Sequence, residues 1–569
     1  MLADARPIPD GSRIQCSVCV VGAGAAGLTL ALGLLDAGMD VLVLEAGGEK
    51  VEEAIQSIYD GAVTSPEHAP PKMYRQRRLG GSTAVWGGRC VPYDAQDFQG
   101  RAHVPLSGWP FGLEELTPFY RAAHHILEIG EFDYCANGLG ETPHLAGFAD
   151  AHVISERLER FSPPTNMWKR YGPVLKRSAN VKILKYASCL RIATDEARRR
   201  VEALECVTGA GARFTVEAGQ VVIAVGGLET VRVLGHSGLG DHAGLLGRTY
   251  MCHVESRIGR LQLTPRNRAV VHGFETTREG VYARRRFTLT AERQNALECL
   301  NATIRLHHPL ISDPAHGHTV LSAMFLARQF ILPEYARKFG GIDIPEHLRK
   351  FANIERAKAE AAHERKVTLR HLRNVCAGVP ELMGFGADWV VKRYLRPRRI
   401  PYVALPAVDG AYALDLHAEQ APNLASRVSL DNAVDRYGVP KLRVDWRLTE
   451  LDFRTVSTML REFQRAVQAC GCGTVLFDTP DLDAEVRAQA LPVGGHHIGT
   501  ARMAHDPKHG VVDADGRVHH MDNLFVLGSA TFPTSSQANP TLTIVAMALR
   551  MARRLRKERN APVLQAASA

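Results

Sequence analysis

The feature that most constrains this chain is the glycine-rich turn Gly22-Ala-Gly-Ala-Ala-Gly27. An apolar β-branched run, 18–21, precedes the turn, a helix-like run, 28–37, follows it, and 41–44 is typical of a second strand ending at Glu45. Glycines in such a unit permit a tight turn, close approach of a pyrophosphate and close helix packing. The acidic residue accepts hydrogen bonds from ribose hydroxyls. The pattern predicts a dinucleotide site. NAD, NADP and FAD all stay open, although Glu45 disfavours the 2′-phosphate of NADP.

The N-terminal stretch also resembles a membrane span, because 16–35 carries no charge. Its three glycines suit a turn between strand and helix better than a continuous span. Residues 1–15 lack the basic start and apolar core of a signal peptide. The 11 scattered cysteines, without zinc-type spacing, favour reduced thiols, no metal site and a cytoplasmic location.

The chain has 569 residues, which exceeds the size at which one hydrophobic core stops growing, about 250–300 residues. Two large units are therefore expected. The nucleotide-binding unit is predicted to gather 14–50, 73–90, 181–250 and 495–560, and a second unit 91–180 and 251–494. Periodicity predicts strands at 181–192, 214–225, 303–306, 320–325, 427–430, 442–446 and 524–526, and helices at 354–375, 450–470 and 540–554.

Positive charge is concentrated in one segment. Residues 337–399 hold 15 Lys and Arg against 7 Asp and Glu, nearly all of the net charge of +9. The helical period of 333–399 predicts a basic helical insertion, which suits docking on a membrane surface or a protein partner. A plain solvated helical face is the favoured alternative, since no clean Trp/Phe stripe is present. Nothing beyond charge indicates nucleic-acid binding.

Two polar motifs lie near the C-terminus. Gly494-Gly-His-His-Ile-Gly-Thr500 sets His496 and His497 between glycines, and Asn539 precedes Pro540 at the start of the last predicted helix. Histidine is the natural proton acceptor near neutral pH. Taken alone, such a histidine is more often a hydrogen-bonded structural residue.

Five motifs together resemble the glucose–methanol–choline (GMC) oxidoreductases, a family of FAD-dependent alcohol and sugar oxidases and dehydrogenases. In chain order they are 22–45, 80–82, 226–230, 496–500 and 539–543. The His-His-x-Gly-Thr form and the element 419–423, followed by 426–428, are most similar to bacterial sugar dehydrogenases and pyranose-oxidase-like members. The resemblance implies an α/β FAD-binding Rossmann-type domain plus an α+β substrate domain with an antiparallel sheet and a helical insertion.

By position, the resemblance implies that His496 is the catalytic base and Asn539 the second active-site residue. Hydride then passes from a carbinol carbon to flavin N5 while His496 takes the hydroxyl proton and Asn539 holds the same oxygen. His497 is expected to be structural or to support the orientation of His496.

The resemblance also implies a set of FAD-binding positions. They are Gly22, Gly24, Ala26, Gly27, Glu45, Ala46, Gly80, Gly81, Ser82, Trp86, Cys189, Ala224, Gly226, Gly528, Ser529, Pro540 and Thr541. Cys189 equally suits a buried core, and Gly528 stands where many members have Asp, so its contact would be through backbone. Trp86 and Arg89 are expected to order the loop over the flavin. Glu419 is expected to form a structural ion pair, with a substrate-facing role as the alternative.

Val85 departs from the family pattern. Members that bind FAD covalently have a histidine in the loop after the paired glycines, and Val85 stands at that place. Valine cannot form the bond, so a noncovalent FAD is expected.

The substrate group implied is a hydroxyl of a sugar or glycoside, with a non-sugar alcohol as an alternative. A non-redox lyase or a light-driven decarboxylase on the same fold is a rival, as is an FAD-stabilised assembly protein without turnover. Oxygen, a quinone and a cytochrome are all possible electron acceptors.

Overall fold

The computed structural model describes residues 1–136, 139, 143–264, 270–327, 354–396, 398–492 and 495–560. Side chains are not described for 354–365 and 559–560. Residues 333–353 and 397 of the predicted basic insertion, and Gly494 of the histidine motif, lie outside the described residues.

The glycine turn joins a strand to a helix, as predicted. The strand Ser12–Val21 starts earlier than expected, the helix Ala25–Gly33 begins directly after Gly24, and Val41–Glu45 pairs parallel with the first strand. The helix was predicted to continue to residue 37 but ends at Gly33. Left-handed backbone at Asp36 (φ 54°) and Gly38 (φ 64°) turns the chain there.

Eight strands form the first sheet within the described residues. In spatial order they are Leu2–Asp4, Val181–Lys185, Val41–Glu45, Ser12–Val21, Arg213–Ile223, Val201–Thr208 and Ala187–Thr194, with Leu524–Val526 also pairing with Arg213–Ile223. The first five run parallel and the last two join by antiparallel pairing. The Rossmann-type α/β expectation is confirmed.

The single strand predicted at 181–192 is wrong. The chain forms two strands, Val181–Lys185 and Ala187–Thr194, broken at Tyr186, whose φ is 59°. A non-glycine residue with left-handed backbone cannot continue a strand, so the chain leaves the parallel array at that point.

A second sheet has ten strands in the part of the chain described. Its main order is Gly473–Leu476, Arg260–Leu263, Ala411–Ala418, Ala302–His307, Tyr282–Leu289, Val153–Phe161 and Arg89–Cys90, with Val254–Ser256, Leu491–Pro492 and Glu275–Thr276 alongside. These strands pair antiparallel. The expected antiparallel sheet is confirmed.

The helix Glu450–Ala469 covers this second sheet. A capping box between Thr449 and Asp452 begins it. Its buried face repeats at helical spacing and packs on apolar strand residues; the helix contributes Val456, Met459, Leu460, Phe463, Ala466 and Val467.

The remaining helices connect or flank the sheets. They are Glu53–Gln56, Leu113–Leu127, Met167–Arg177, Gly227–His236, Ala291–Ala296, Thr319–Ala327, Ile354–Ala377, Val379–Val390, Leu482–Gln489 and Thr541–Asn560. A π-helical turn, Val391–Leu395, directly follows Val379–Val390. Short 3-10 turns occur at Ser57–Tyr59, Gly81–Ala84, Ala95–Phe98, Pro314–His316 and Ser529–Thr531, and a small sheet joins Arg427–Val434, Pro440–Asp445 and Gly61–Val63.

The strand predicted at 320–325 is wrong, because these residues lie in the helix Thr319–Ala327. A short apolar run does not distinguish a buried strand from a buried helix. Among the described helices, none is both long enough and apolar enough to cross a bilayer.

Candidate functional site

Four neighbouring parallel strands end at one edge of the first sheet. They are Val41–Glu45, Ser12–Val21, Arg213–Ile223 and Leu524–Val526. Each leads into a predicted cofactor segment, respectively 45–46, 22–27, 224–226 and 528–529. Ligands of open α/β sheets bind outside the carboxyl ends of such strands. The structure therefore brings together segments that lie up to about 500 residues apart in sequence.

The glycines at this edge are of two kinds. A Cβ on Gly27 would lie 1.9 Å from the carbonyl oxygen of Gly22, so Gly27 is required for the helix to pack against the turn. A Cβ on Gly24, Gly226 or Gly528 would meet no protein atom within 4 Å. These three glycines border open space at the edge, which fits the close approach of a bulky dinucleotide to the backbone.

The paired-glycine loop closes on the first turn. Gly80 and Gly81 both have left-handed backbone, with φ of 88° and 53°. The Gly80 N–H donates to the carbonyl of Ala23 at 2.9 Å, and a Cβ on Gly81 would lie 3.0 Å from Cα of Gly24. Ser82 is exposed in the same loop. The loop thus forms one wall of the open space.

Glu45 holds the turn in place. Its carboxylate accepts the backbone N–H of Ala23 at 2.9 Å and that of Gly47 at 2.9 Å. Burial raises the pKa of Glu45. Each carboxylate oxygen still has acceptor capacity for a ribose hydroxyl, so the donor and acceptor groups fit the predicted dinucleotide.

The other predicted cofactor positions lie on several elements. Ala26 is buried in the first helical turn, Ala46 is half-buried after its strand, and Ala224 is buried at a strand end. Pro540 directly precedes the last helix and Thr541 begins it. Trp86 donates its indole N–H to the carbonyl of Thr165 at 3.1 Å. Cys189 is half-buried in Ala187–Thr194, opposite Cys206.

His496 and Asn539 meet, as predicted, with His496 Nε2 at 3.2 Å from Asn539 Nδ2. Backbone pairing aligns the His496 segment with the Gly528 segment, because Gly499 N–H donates to Ser529 O at 3.0 Å and Ala501 N–H donates to Ala530 O at 2.7 Å. His496 and Asn539 therefore lie beside the edge of the first sheet at which the parallel strands end.

His496 is held neutral. Burial and then the nearby charge of Arg89 lower its pKa to about 3. An imidazole with this pKa keeps an unprotonated nitrogen at neutral pH, which is the form needed to accept a proton.

Arg89, expected to order the loop over the flavin, contacts Asn539. It donates to Asn539 Oδ1 and forms an ion pair with Glu159 at 2.6 Å. Burial alone would raise the pKa of Glu159, but the charges of Arg89 and Arg305 outweigh it and lower the pKa to about 2. Glu159 therefore stays ionised and anchors Arg89 against Asn539.

His497 faces a different cluster. Its Nδ1 lies 2.8 Å from the Tyr250 hydroxyl, which also lies 2.8 Å from His68 Nε2 and 3.3 Å from Cys252 Sγ. Within the described residues no hydrogen bond joins His497 to His496. Ser529 donates its hydroxyl to the His497 carbonyl at 2.7 Å, so His497 supports the segment rather than the imidazole of His496.

Two groups of side chains have ligand atoms close enough to hold a metal, although none is predicted. They are His68, Cys252 and His497, and His253, His417 and His496, whose ligand atoms lie within 4.8 Å of one another. Nitrogens that share a tetrahedral zinc are roughly 3.3 Å apart, given Zn–N distances of about 2.0–2.1 Å. His253 and His496 are 2.8 Å apart through their Nδ1 atoms, a hydrogen-bond distance.

Sequence reasoning missed His253 and His417. His253 Nδ1 lies 2.8 Å from His496 Nδ1, and the His417 ring stacks on the His253 ring at 4.5 Å. Neither belongs to a motif with recognisable spacing, so the only sequence signal is a histidine next to or within an apolar strand. Glu419, by contrast, forms the expected ion pair, accepting from Arg101 at 2.9 and 2.5 Å.

Both halves of the chain are similar to known oxidoreductases. The chain matches the family GMC oxidoreductase over residues 422–548 and the family Pyridine nucleotide-disulphide oxidoreductase over 16–273. It is similar to 6'''-hydroxyparomomycin C oxidase of Streptomyces lividus, at 24% identity over 94% of this chain and 90% of the relative.

The chain is also similar to a second oxidase over about a third of its length, and to a solved structure over nearly all of it. C-glycoside 3-oxidase of Arthrobacter globiformis is 34% identical over 29% of this chain and 30% of the relative. A solved structure of formate oxidase has the same fold, with a TM-score of 0.53 and 16% identity over 97% of this chain and 99% of that chain. The chain therefore contains a GMC oxidoreductase C-terminal domain, over residues 422–548.

Proposed function

We propose that this protein is an FAD-dependent oxidoreductase that oxidises a CH–OH group of a sugar or glycoside. The observation that carries the proposal is the contact of His496 Nε2 with Asn539 at 3.2 Å. This contact lies beside the open space that glycines border, at the carboxyl ends of the parallel strands. A proton acceptor next to a dinucleotide site is the arrangement that alcohol oxidation requires. We assign 14–50, 73–90, 181–250 and 495–560 to the FAD-binding domain, and 91–180 and 251–494 to the substrate domain. The strand Leu2–Asp4 belongs with the first domain, and Arg89–Cys90 pairs with the sheet of the second.

The chain's own groups handle the substrate hydroxyl. His496 Nε2 is the acceptor for its proton, because the neutral imidazole has a lone pair on this nitrogen beside Asn539. Asn539 Nδ2, which points to His496, donates to the same oxygen and orients the carbinol carbon. FAD, when bound, supplies the acceptor for the hydride that leaves this carbon. The product is a carbonyl.

The sugar assignment draws on the relatives. Two of them are named for oxidation of an aminoglycoside and a C-glycoside. A screen of sugars, glycosides and simple alcohols with an artificial dye, with and without oxygen, tests the substrate class. We expect dye reduction with a sugar or glycoside and not with short aliphatic alcohols; the reverse preference would contradict the assignment. Activity without dye in oxygen would identify an oxidase.

The flavin is expected to be noncovalent. Val85 is 46% exposed in the loop over the edge, and the loop 79–89 holds no histidine, cysteine or tyrosine. Cys90, which follows, is buried, and burial raises its pKa to about 12, so its thiol is not a nucleophile near neutral pH. Acid precipitation of the holoprotein should release the yellow chromophore into the supernatant. A yellow pellet after washing would contradict noncovalent binding.

The basic insertion combines charge with exposed apolar side chains. In the described residues, eight large apolar side chains are exposed between 369 and 395: Leu369, Leu372, Val379, Met383, Val390, Val391, Tyr394 and Leu395. Six cations are interspersed, Lys366, Arg370, Arg373, Lys392, Arg393 and Arg396, against two acids, Glu381 and Asp388. Apolar groups beside Lys and Arg complement an anionic bilayer, so this surface, 366–396, is proposed to dock on one.

Docking predicts selective binding to anionic vesicles. The holoprotein should sediment with vesicles that contain phosphatidylglycerol and not with pure phosphatidylcholine vesicles. A triple substitution Leu369→Ser, Met383→Ser, Leu395→Ser should abolish sedimentation, whereas the control Val174→Ser, Val434→Ser, Leu476→Ser, also of exposed side chains, should not. Equal binding of both variants would contradict the assignment. Absence of vesicle binding would also contradict it and would leave a solvated helical face or a protein-docking face as the alternatives.

A further inference from the structure

We propose that His253 is a positioning residue that fixes the tautomer of His496, accepting its Nδ1–H and leaving Nε2 as the unprotonated nitrogen that takes the substrate proton. The inference rests on the proposed function, in which His496 is the base. It deepens that function by stating which nitrogen acts and what selects it.

The contact of His253 on the side away from His496 locates the hydrogen of its ring. Its Nε2 lies 3.1 Å from the backbone carbonyl oxygen of Ser535. A carbonyl only accepts, so this nitrogen carries a hydrogen and donates it. Burial of His253 lowers its pKa well below the ordinary value and keeps the ring neutral. A neutral ring with hydrogen on Nε2 has a bare Nδ1.

The bare Nδ1 of His253 then sets the state of His496. The two Nδ1 atoms are 2.8 Å apart, so one must donate, and only His496 can. His496 therefore carries its hydrogen on Nδ1. Because His496 is also neutral, its Nε2 is left with a lone pair.

The hydrogen bonds on the Nε2 side of His496 indicate the same tautomer independently. The guanidinium of Arg89 has only donors, so the Asn539 atom that it contacts must be the oxygen. The amide nitrogen of Asn539 is thereby turned to His496 Nε2, at 3.2 Å. The N–H donor of Asn539 therefore faces His496 Nε2, which can only accept. This agrees with the tautomer that His253 sets.

The surroundings of His253 hold its ring in this orientation. His253 is fully buried, and its ring stacks on His417 at 4.5 Å with an interplanar angle of 26°. His417 is itself fixed by a hydrogen bond from Nδ1 to the carbonyl of Gln537 at 2.7 Å. A ring flip of His253 would lose both the Ser535 and the His496 contacts.

The proposal gives the proton a defined path. The hydroxyl proton moves to His496 Nε2 as the hydride leaves the carbinol carbon, and the Nδ1–H stays on His496. The resulting imidazolium donates from both nitrogens, and His253 Nδ1 stabilises it as an acceptor. His253 itself gains and loses no proton.

A matched set of variants tests the role. His253→Asn keeps an acceptor near the position of Nδ1, whereas His253→Leu has the same branched shape without an acceptor. We expect anaerobic flavin reduction to be roughly 10²-fold slower in the Leu variant, with KM and bound FAD little changed, and to be largely restored in the Asn variant. His253→Gln, which reaches toward Ser535 but not His496, should behave like Leu.

The outcomes separate this inference from the proposed function. Equal rates in the Asn, Gln and Leu variants would overturn the tautomer role, and the Asn and Gln pair decides it if the Leu variant does not fold. His496→Ala is measured beside them. If that change leaves the rate intact, the base assignment fails; if it slows reduction while the His253 variants do not differ, only the positioning role fails.

Discussion

The His496→Ala protein is expected to reduce its bound flavin with substrate roughly 10²–10⁴-fold more slowly than the unchanged protein, the usual contribution of a positioned proton acceptor. The imidazole contacts Asn539 at 3.2 Å and is neutral at physiological pH, so its removal leaves the substrate hydroxyl without a base. Stopped-flow measurement of flavin bleaching without oxygen follows this step directly.

The control for this change is His509→Ala. The His509 side chain is 67% exposed, and its imidazole lies 3.7 Å from Asp506 on the surface. Both variants should bind FAD as the unchanged protein does, which the absorbance ratio of flavin to protein reports. A His496→Ala protein that reduces its flavin at the unchanged rate would remove His496 from the reaction.

Gly24→Ala is expected to weaken FAD binding by roughly 5- to 150-fold, the effect of about 1–3 kcal/mol of overpacking. Gly24 has φ −85° and ψ −162°, a conformation open to alanine, and its Cβ would meet no protein atom within 4 Å. The added methyl group therefore costs the apoprotein little. It occupies the space in which the pyrophosphate approaches the backbone.

Gly100→Ala is the matched control, since its Cβ also meets nothing within 4 Å but Gly100 lies outside the cofactor segments. FAD titration followed by fluorescence should show ordinary affinity for this variant. Both apoproteins should melt near the unchanged temperature. If Gly24→Ala binds FAD as tightly as Gly100→Ala does, the cofactor does not approach the turn at Gly24.

The fold could be predicted where local pattern and tertiary packing agree. The Gly22–Gly27 turn, Glu45 and the helix Glu450–Ala469 combine periodicity with turn or capping residues, and the structure has them nearly as expected. The prediction of a strand at 320–325 was wrong because the apolar residues there show no periodicity that distinguishes a strand from a helix. The break at Tyr186 depends on one positive φ angle, which the residue type tyrosine does not predict.

The site could be predicted only as far as its motifs extend. His496 and Asn539 stand in recognisable segments, and the structure brings them together. Arg89 and His253 act through partners hundreds of residues away, which sequence spacing cannot reveal. Their roles follow from hydrogen-bond direction, since a guanidinium can only donate and a carbonyl can only accept.

The most direct test of the account is anaerobic addition of a sugar or glycoside to the FAD-loaded protein while the flavin absorbance is recorded. Oxidation of a CH–OH group predicts that the flavin bleaches as substrate is consumed and that a carbonyl product appears in equal amount. Turnover of substrate while the flavin stays oxidised would contradict the account and indicate a non-redox reaction at the same site.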